Sequence, residues 1–459
     1  MNVCDVSNHP RHARLLKKAK EEQQAADRRK GQPIQMTKSR LEVIDQLHEE
    51  KFEEAVFLNK ADSEPSLATM VNISTPYLPS VAPLEDLRKI FLRALKHETH
   101  HRGDYMLLRV ASAFIVEGTT YFIAEDENED VIKVHIHYCN RKFMRTYMAQ
   151  KGVFILKEPF LKSLSEDNYA IQIHHLSDLI SIPPTDPILP SSWRRELLPQ
   201  GSDAVAWAAL GDEHYHSGEL YHAQDCYEEA FRHNPTEEVA DNLRSHMAQV
   251  LLIRGNYYAA LEELNDVIEP GVKELWLKWE AQYKAREFRK ASATFTTISR
   301  DHLEGIMDDQ TRNQYARTIQ RVAERDHAKY KFGEMQMSAR NLEELSECAS
   351  YVRFIRLGYL SATQRPGLFA EKEFQAGDLI FCEKAFRYRN DEVEGSIWMT
   401  VNAETNSITV GTQPNLVRKI AEQMYNNPPV IGSICALYSA DFKTVDPLQV
   451  VNGRQVVDS

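Results

Sequence analysis

The chain has 459 residues, 42% hydrophobic and 27% charged, with a mean hydropathy of −0.48; this excludes a mini-protein, a collagen-like fibre and a mostly disordered chain, and the length suits about three domains. The net charge of −12 is uneven: residues 1–40 carry ten Lys/Arg against four Asp/Glu, a net +6, which leaves −18 on the rest. An acidic body repels phosphate backbones, so nucleic acid is a disfavoured partner.

No apolar run approaches the roughly 18 residues that span a bilayer, and the N-terminus lacks the apolar core of a signal peptide. The expectation is an intracellular protein, nuclear and/or cytoplasmic, without a membrane partner. Cys4, Cys139, Cys226, Cys348, Cys382 and Cys435 form no C-x-x-C pair, so reduced thiols are expected, with neither a disulfide framework nor a metal cluster.

In chain order, residues 1–83 read as a basic helical or disordered region. Residues 11–30 are good helix formers, but only Leu15 and Leu16 are strongly apolar, which predicts a solvated, partly frayed arm. Leu41, Ile44 and Leu47, then Leu87, Ile90, Phe91 and Leu95, recur at helical spacing and predict amphipathic helices over 39–58 and 84–98. Between 105 and 182 the period becomes strand-like in YMLLRVASAFIV, TTYFIAE, VIKVHIHY, GVFILKEPFL and YAIQIHHL, separated by acidic turns such as EDENED. Residues 84–183 are therefore expected to form a helix and a small antiparallel, OB-like barrel.

Two histidine patterns fall in this stretch. HETHH at 97–101 satisfies H-E-x-x-H, but Gly103 ends the helix and no third ligand follows at metzincin spacing, so it reads as chance. The RGD at 102–104 reads the same way. His135 and His137 share a strand face with Lys133 and read as a solvated face.

The prolines of ISIPPTDPILPSSW mark a linker over 184–203. Residues 204–350 then read as helical repeats with capping helices. Trp207, Leu210, Gly211, Ala223, Tyr227, Ala230 and Pro235 stand at tetratricopeptide (TPR) offsets. Gly255, Tyr257, Ala260, Leu264 and Val267 repeat the pattern, and Phe288, Ala291, Phe295 and Ile298 give a weaker third unit. Three units suffice for a short solenoid holding a protein partner.

From Tyr351 the segment RPGLFAEKEFQAGDLIFCEKAF alternates apolar residues with glycine turns. It resembles the opening of a SET domain, and with the TPR units the chain resembles the fungal TPR- and SET-domain proteins, relatives of the SET and MYND lysine methyltransferases. The resemblance implies a multidomain α+β fold with the first part of a SET domain over 351–459. It also implies S-adenosylmethionine as cofactor, Gly367 and Leu368 lying against it through their backbone, and a lysine-containing protein as substrate of a complete relative. Arg365 stands where the family has its first glycine, and the following Pro366 removes one backbone donor. The helix NLVRKIAEQMYNN would belong to the insert before the catalytic half.

The N-H-S/C-x-P-N segment and the late tyrosine of that half are absent after Cys435. No catalytic residue is assigned, and the expectation is a truncated, inactive SET domain with Ile434, Leu437 and Val450 lacking a partner sheet. The alternative is a non-enzymatic TPR scaffold. Ala208 and Asp212 replace the Lys and Asn of a chaperone-type carboxylate clamp, while Asp212, Glu213 and Glu219 suggest a basic partner.

Overall fold

The apolar runs between 105 and 182 form strands, as their β-branched and aromatic content favours. The computed structural model describes residues 4–5, 10–47, 49, 69–73, 77–117, 119–137, 152–164, 168–194, 197–198, 201–302, 308–340, 347–360, 365–385, 398–403, 406–411, 413–435, 450–451 and 454–455. It is a mixed structure of helices and sheets in two units, residues 1–235 with 389–459, and residues 236–388. Each is taken by itself.

The first unit opens with β1 (Cys4–Asp5), α1 (Pro10–Arg29), a helical stretch α2 (40–47) and β2 (Thr69–Ile73). Its larger sheet has ten strands: β3 (Arg88–Lys89), β4 (Thr99–His100), β5 (Asp104–Val110), β6 (Ile115–Glu117), β7 (Thr119–Glu125), β8 (Val131–Ile136), β9 (Val153–Lys157), β10 (Phe160–Ser163), β11 (Tyr169–Ile173) and β12 (Leu179–Ile182). The order is β12-β9-β5-β7-β8-β11-β10-β4, with β3 on β5 and β6 on β7. Two pairs, β8 with β11 and β3 with β5, are parallel, unlike the antiparallel pairing expected throughout. Closure of β12 onto β4 is not among the described pairings.

Strand β9 shows why the sheet is stable. All five of its residues are buried because both faces are covered. Phe154 and Leu156 join a core with Leu108, Phe122 and Ile171, while Val153 and Ile155 join Leu107, Leu189 and Trp193 on the other side. Leu189 and Trp193 come from the proline-rich stretch, which thus packs on the sheet, and Arg109 lies 4.7 Å from the Trp193 ring.

The helix expected over 84–98 is replaced by two 3-10 turns, Leu84–Asp86 and Leu92–Ala94, flanking β3. The backbone is spent on neighbours instead of on i to i−4 bonds: Ile90 N donates to Tyr105 O at 2.9 Å and Leu92 N to Asp126 Oδ2 at 2.9 Å. Leu92 and Leu95 enter the core all the same.

A helix pair follows, α3 (Ala204–His216) and α4 (Leu220–Arg232), with Asp203 capping α3 by accepting from Ala206 N at 2.9 Å. Trp207, Ala223, Tyr227 and Ala230 are buried. Gly211 must be glycine, because a Cβ there would fall 2.6 Å from Tyr227 Cδ1.

The second unit contains the pairs α5 (Glu237–Arg254) with α6 (Tyr257–Asn265) and α7 (Val272–Lys284) with α8 (Phe288–His302), then α9 (Asp309–His327) and α10 (Phe332–Arg340). Ala260, Leu264 and Val267, and likewise Phe288, Ala291, Phe295 and Ile298, are buried at the repeated offsets. Gly255 ends α5 at φ 85°, a left-handed cap suited to glycine. The unit closes with the hairpin β13 (Ile355–Leu360) and β14 (Arg365–Ala370).

Returning to the first unit, β15 (Trp398–Asn402) and β16 (Ser407–Gly411) form a four-stranded sheet in the order β1-β16-β15-β2, with β2 parallel to β15. Leu16 of α1 is buried against Val401 and Ile408, which corrects the frayed arm: its two leucines find a sheet supplied from the far end of the sequence. Helix α11 (Gln413–Asn426) falls where a helix was expected. Ile434, expected to lack a partner, packs in a cluster with Met424 and Ile431, while Val450 pairs with Gln455 and Leu437 lies outside the described residues. No helix among the described residues is long and apolar enough to cross a membrane.

Candidate functional site

Tyr359↔Pro366, Gly358↔Gly367, Leu357↔Leu368 and Arg356↔Phe369 pair across β13 and β14, which places the expected cofactor residues Arg365, Gly367 and Leu368 along one strand. The hairpin is held from its base. Tyr351 N donates to Cys382 O at 2.7 Å, Cys382 N returns a bond to Tyr351 O at 2.9 Å, and Glu371 N donates to Phe354 O at 2.9 Å. Arg356 lies 5.2 Å from the Phe369 ring, and Lys372 lies 4.4 Å from that of Phe354. Beneath it, buried Glu324 accepts from Ala349 N at 2.8 Å and from Arg321 at 2.7 Å. These bonds tie the base of the hairpin to α9.

The two glycines differ. A Cβ on Gly358 would meet Arg356 Nη1 and the Phe369 ring at 2.9 Å, so a larger residue there would have to displace these side chains. At Gly367 the nearest atom would be 3.7 Å away, an ordinary contact, so its own hairpin does not impose glycine there. Leu357 is 78% exposed and Leu368 54% exposed, so this cross-strand pair presents an apolar surface that its own unit does not cover.

The structure describes a cavity of about 270 Å³ in the first unit and one of about 180 Å³ in the second. The latter lies by Trp279, Tyr283, Arg317 and Glu347, where Glu347 accepts from Tyr283 Oη at 2.8 Å and from Arg317 at 2.6 Å. Gly367 and Leu368 are not among the described residues lining either.

The histidine patterns are absorbed into the first unit. The HETHH segment is not a helix: Thr99 and His100 form β4, and Glu98 has a φ of 48°. His97 Nδ1 is 2.8 Å from Ser163 Oγ, Glu98 accepts from Ser163 N at 2.7 Å, and His101 Nε2 accepts from Lys96 N at 3.0 Å. Arg102 and Gly103 of the RGD both bond Glu158.

His135 and His137 do not lie on a solvated face, which corrects the sequence expectation. His137 Nε2 is 2.6 Å from Gln172 Oε1, and its ring is 4.5 Å from that of His174. Tyr77 packs at 4.5 Å on His100, 4.8 Å on His174 and 5.1 Å on His175. Burial leads the causes that depress these rings, to about 4 for His100 and His175, about 3 for His135 and about 2 for His174. No group of three or more metal-ligating side chains is arranged around a common point among the described residues. The cluster is invisible in sequence because its members come from 77, 100, 135–137 and 174–175; only the HIH and IHHL strings hint at it.

The helix pair α3–α4 changes the reading of its acidic residues. Asp212 accepts from Tyr227 Oη at 2.8 Å, and Glu219 pairs with His214 at 2.7 Å. Both acids stabilise the pair, and Glu213 alone of the three is left exposed without such a bond described.

No family model matches the chain. It is 24% identical, over 468 aligned positions, to a protein of Gibberella zeae described as a methyltransferase. The alignment takes in 100% of this chain and 61% of the relative, so the chain spans about three fifths of that protein's length. The chain is methyltransferase-like in sequence from end to end.

Proposed function

We propose that the chain is part of a TPR- and SET-type protein lysine methyltransferase that uses S-adenosylmethionine. The observation that carries this reading is the similarity of the whole of this chain to about three fifths of a protein described as a methyltransferase. In it, β14 offers the Gly367–Leu368 backbone to the methionine end of the cofactor, a role that leaves open approach at Gly367 useful to a ligand and not to the fold. The helix pairs α3–α4, α5–α6 and α7–α8 act as a TPR region that holds a protein partner. In SET enzymes most of the catalysis is positioning of the lysine amine for in-line attack on the sulfonium methyl. These 459 residues carry no N-H-S/C-x-P-N segment, so we expect this chain alone to bind the donor weakly and to transfer little.

Equilibrium dialysis with labelled S-adenosylmethionine tests it: binding that Gly367→Arg abolishes, with the fold kept, supports the reading, and absence of binding overturns it. A second reading, a TPR scaffold without enzymatic role, is favoured by the burial of residues at the repeated offsets in the helix pairs, among them Ala223, Ala260 and Ala291. It predicts that Gly367→Arg leaves every binding property of the protein unchanged.

A further inference from the structure

The larger cavity belongs to none of these roles. It lies where residues 29–47 strap across the end of β7, β8 and β11. The strap is pinned at both ends: Ile34 enters the main core, with Met36 packed against it, and Leu47 enters a second core with Val43 and Ile44 beside it. A Ser39–Glu42 capping box starts α2, with Ser39 N donating to Glu42 Oε2 at 2.7 Å. Between the pins lies a void of about 270 Å³, just under the ~300 Å³ at which small-molecule sites begin.

Its lining has a definite chemistry. Arg29, Lys38 and Lys133 come from the end of α1, the strap and β8, and no Asp or Glu is among the described lining residues, in a protein of net charge −12. Lys38 Nζ donates to Gln46 Oε1 at 2.7 Å, and Lys133 Nζ lies 4.8 Å from the Tyr121 ring, so both ammonium groups are held in place. Tyr169, steadied by its hydroxyl on Gln35 O at 3.2 Å, offers a ring, and Met36 and Val43 give apolar wall. His97 closes one side, and burial together with Arg29 holds its pKa below the usual histidine value.

We propose that this cleft is a binding site for a small phosphorylated molecule carrying a flat ring, of nucleoside monophosphate size. Three cations drawn from separate segments suit a phosphate, which accepts several charge-assisted bonds at once, and the Tyr169 side of the cleft suits the ring. A sulfonium methyl donor, itself cationic, is disfavoured here, so the site stands apart from the hairpin assigned to that donor and survives the failure of that assignment.

Isothermal titration of the full chain with adenosine 5′-monophosphate, inorganic pyrophosphate and adenosine tests the proposal. The expected result is binding of both phosphate compounds, at least tenfold weaker binding of adenosine, and loss of affinity as salt rises. The double variant Lys38→Gln/Lys133→Gln should bind adenosine 5′-monophosphate at least tenfold more weakly, with an unchanged circular dichroism spectrum. Should that variant fail to fold, Arg29→Gln at the end of α1 serves the same comparison. Absence of binding by both phosphate compounds, or equal binding by the folded variant and the parent chain, would overturn it.

Discussion

Two β structures in this protein read alike in sequence and differ in what supports them. The ten-stranded sheet is covered on both faces, so that β9 buries every residue. The β13–β14 hairpin has two strands and exposes its cross-strand pair Leu357 and Leu368. Alternating apolar residues and glycine turns are enough to make a strand pair, but a partner face is needed to make it part of a core. The proposed phosphate cleft lies between the first kind of structure and the 29–47 strap, and the proposed methyl-donor contact lies on the second, an exposed ribbon.

Acid should separate the two most sharply. His100, His135, His174 and His175 have pKa values depressed to between about 2 and about 4, so below pH 6.5 the unfolded chain binds more protons than the folded one and stability falls. Each contributes up to about 1.4 kcal/mol per pH unit between 6.5 and its folded value. Asp178, pushed up to about 7 by burial, acts in the opposite sense between its unfolded value and pH 7 and offsets part of this. Urea unfolding of the sheet at pH 7 and pH 5 should show a net loss of several kcal/mol. A flat profile would mean that the histidine cluster stays hydrated.

Within the sheet, Phe154→Ala on β9 should cost about 3–5 kcal/mol by leaving a cavity in the core beside Phe122. Leu357→Ala in the hairpin should stay within about 0.5 kcal/mol. Equal costs in a denaturant titration would break the comparison. Gly211→Val should cost about 1–3 kcal/mol, because the added methyls collide with Tyr227, whereas Gly367→Ala, with its nearest atom at 3.7 Å, should leave the melting temperature within a degree or two. Asp212→Asn keeps an acceptor for Tyr227 Oη and should shift stability by about 1 kcal/mol or less. A larger loss would show that the carboxylate charge matters to the α3–α4 pair.

Much of this was legible locally. The strands from 104 to 182 fall on the apolar runs, and the residues at TPR offsets, from Trp207 and Ala223 to Phe295 and Ile298, are buried. The 84–98 segment was misread because its helical spacing is real but its amide groups are claimed by β5 and Asp126. For the candidate site, sequence supplied Gly367 and Leu368, while the exposure of Leu368 and the ordinary 3.7 Å contact at Gly367 came from the fold.

The sequence by itself determined the acidic body, the basic first forty residues, the strand and helix periods and the glycine required at 211, because each follows from residue type and near spacing. Tertiary structure alone decided that α1 and β2 join strands from the far end of the chain, that Tyr77 and histidines from three other segments share one cluster, and that Arg29, Lys38 and Lys133 line one cleft. Those outcomes depend on contacts between residues tens to hundreds of positions apart, which no local period encodes.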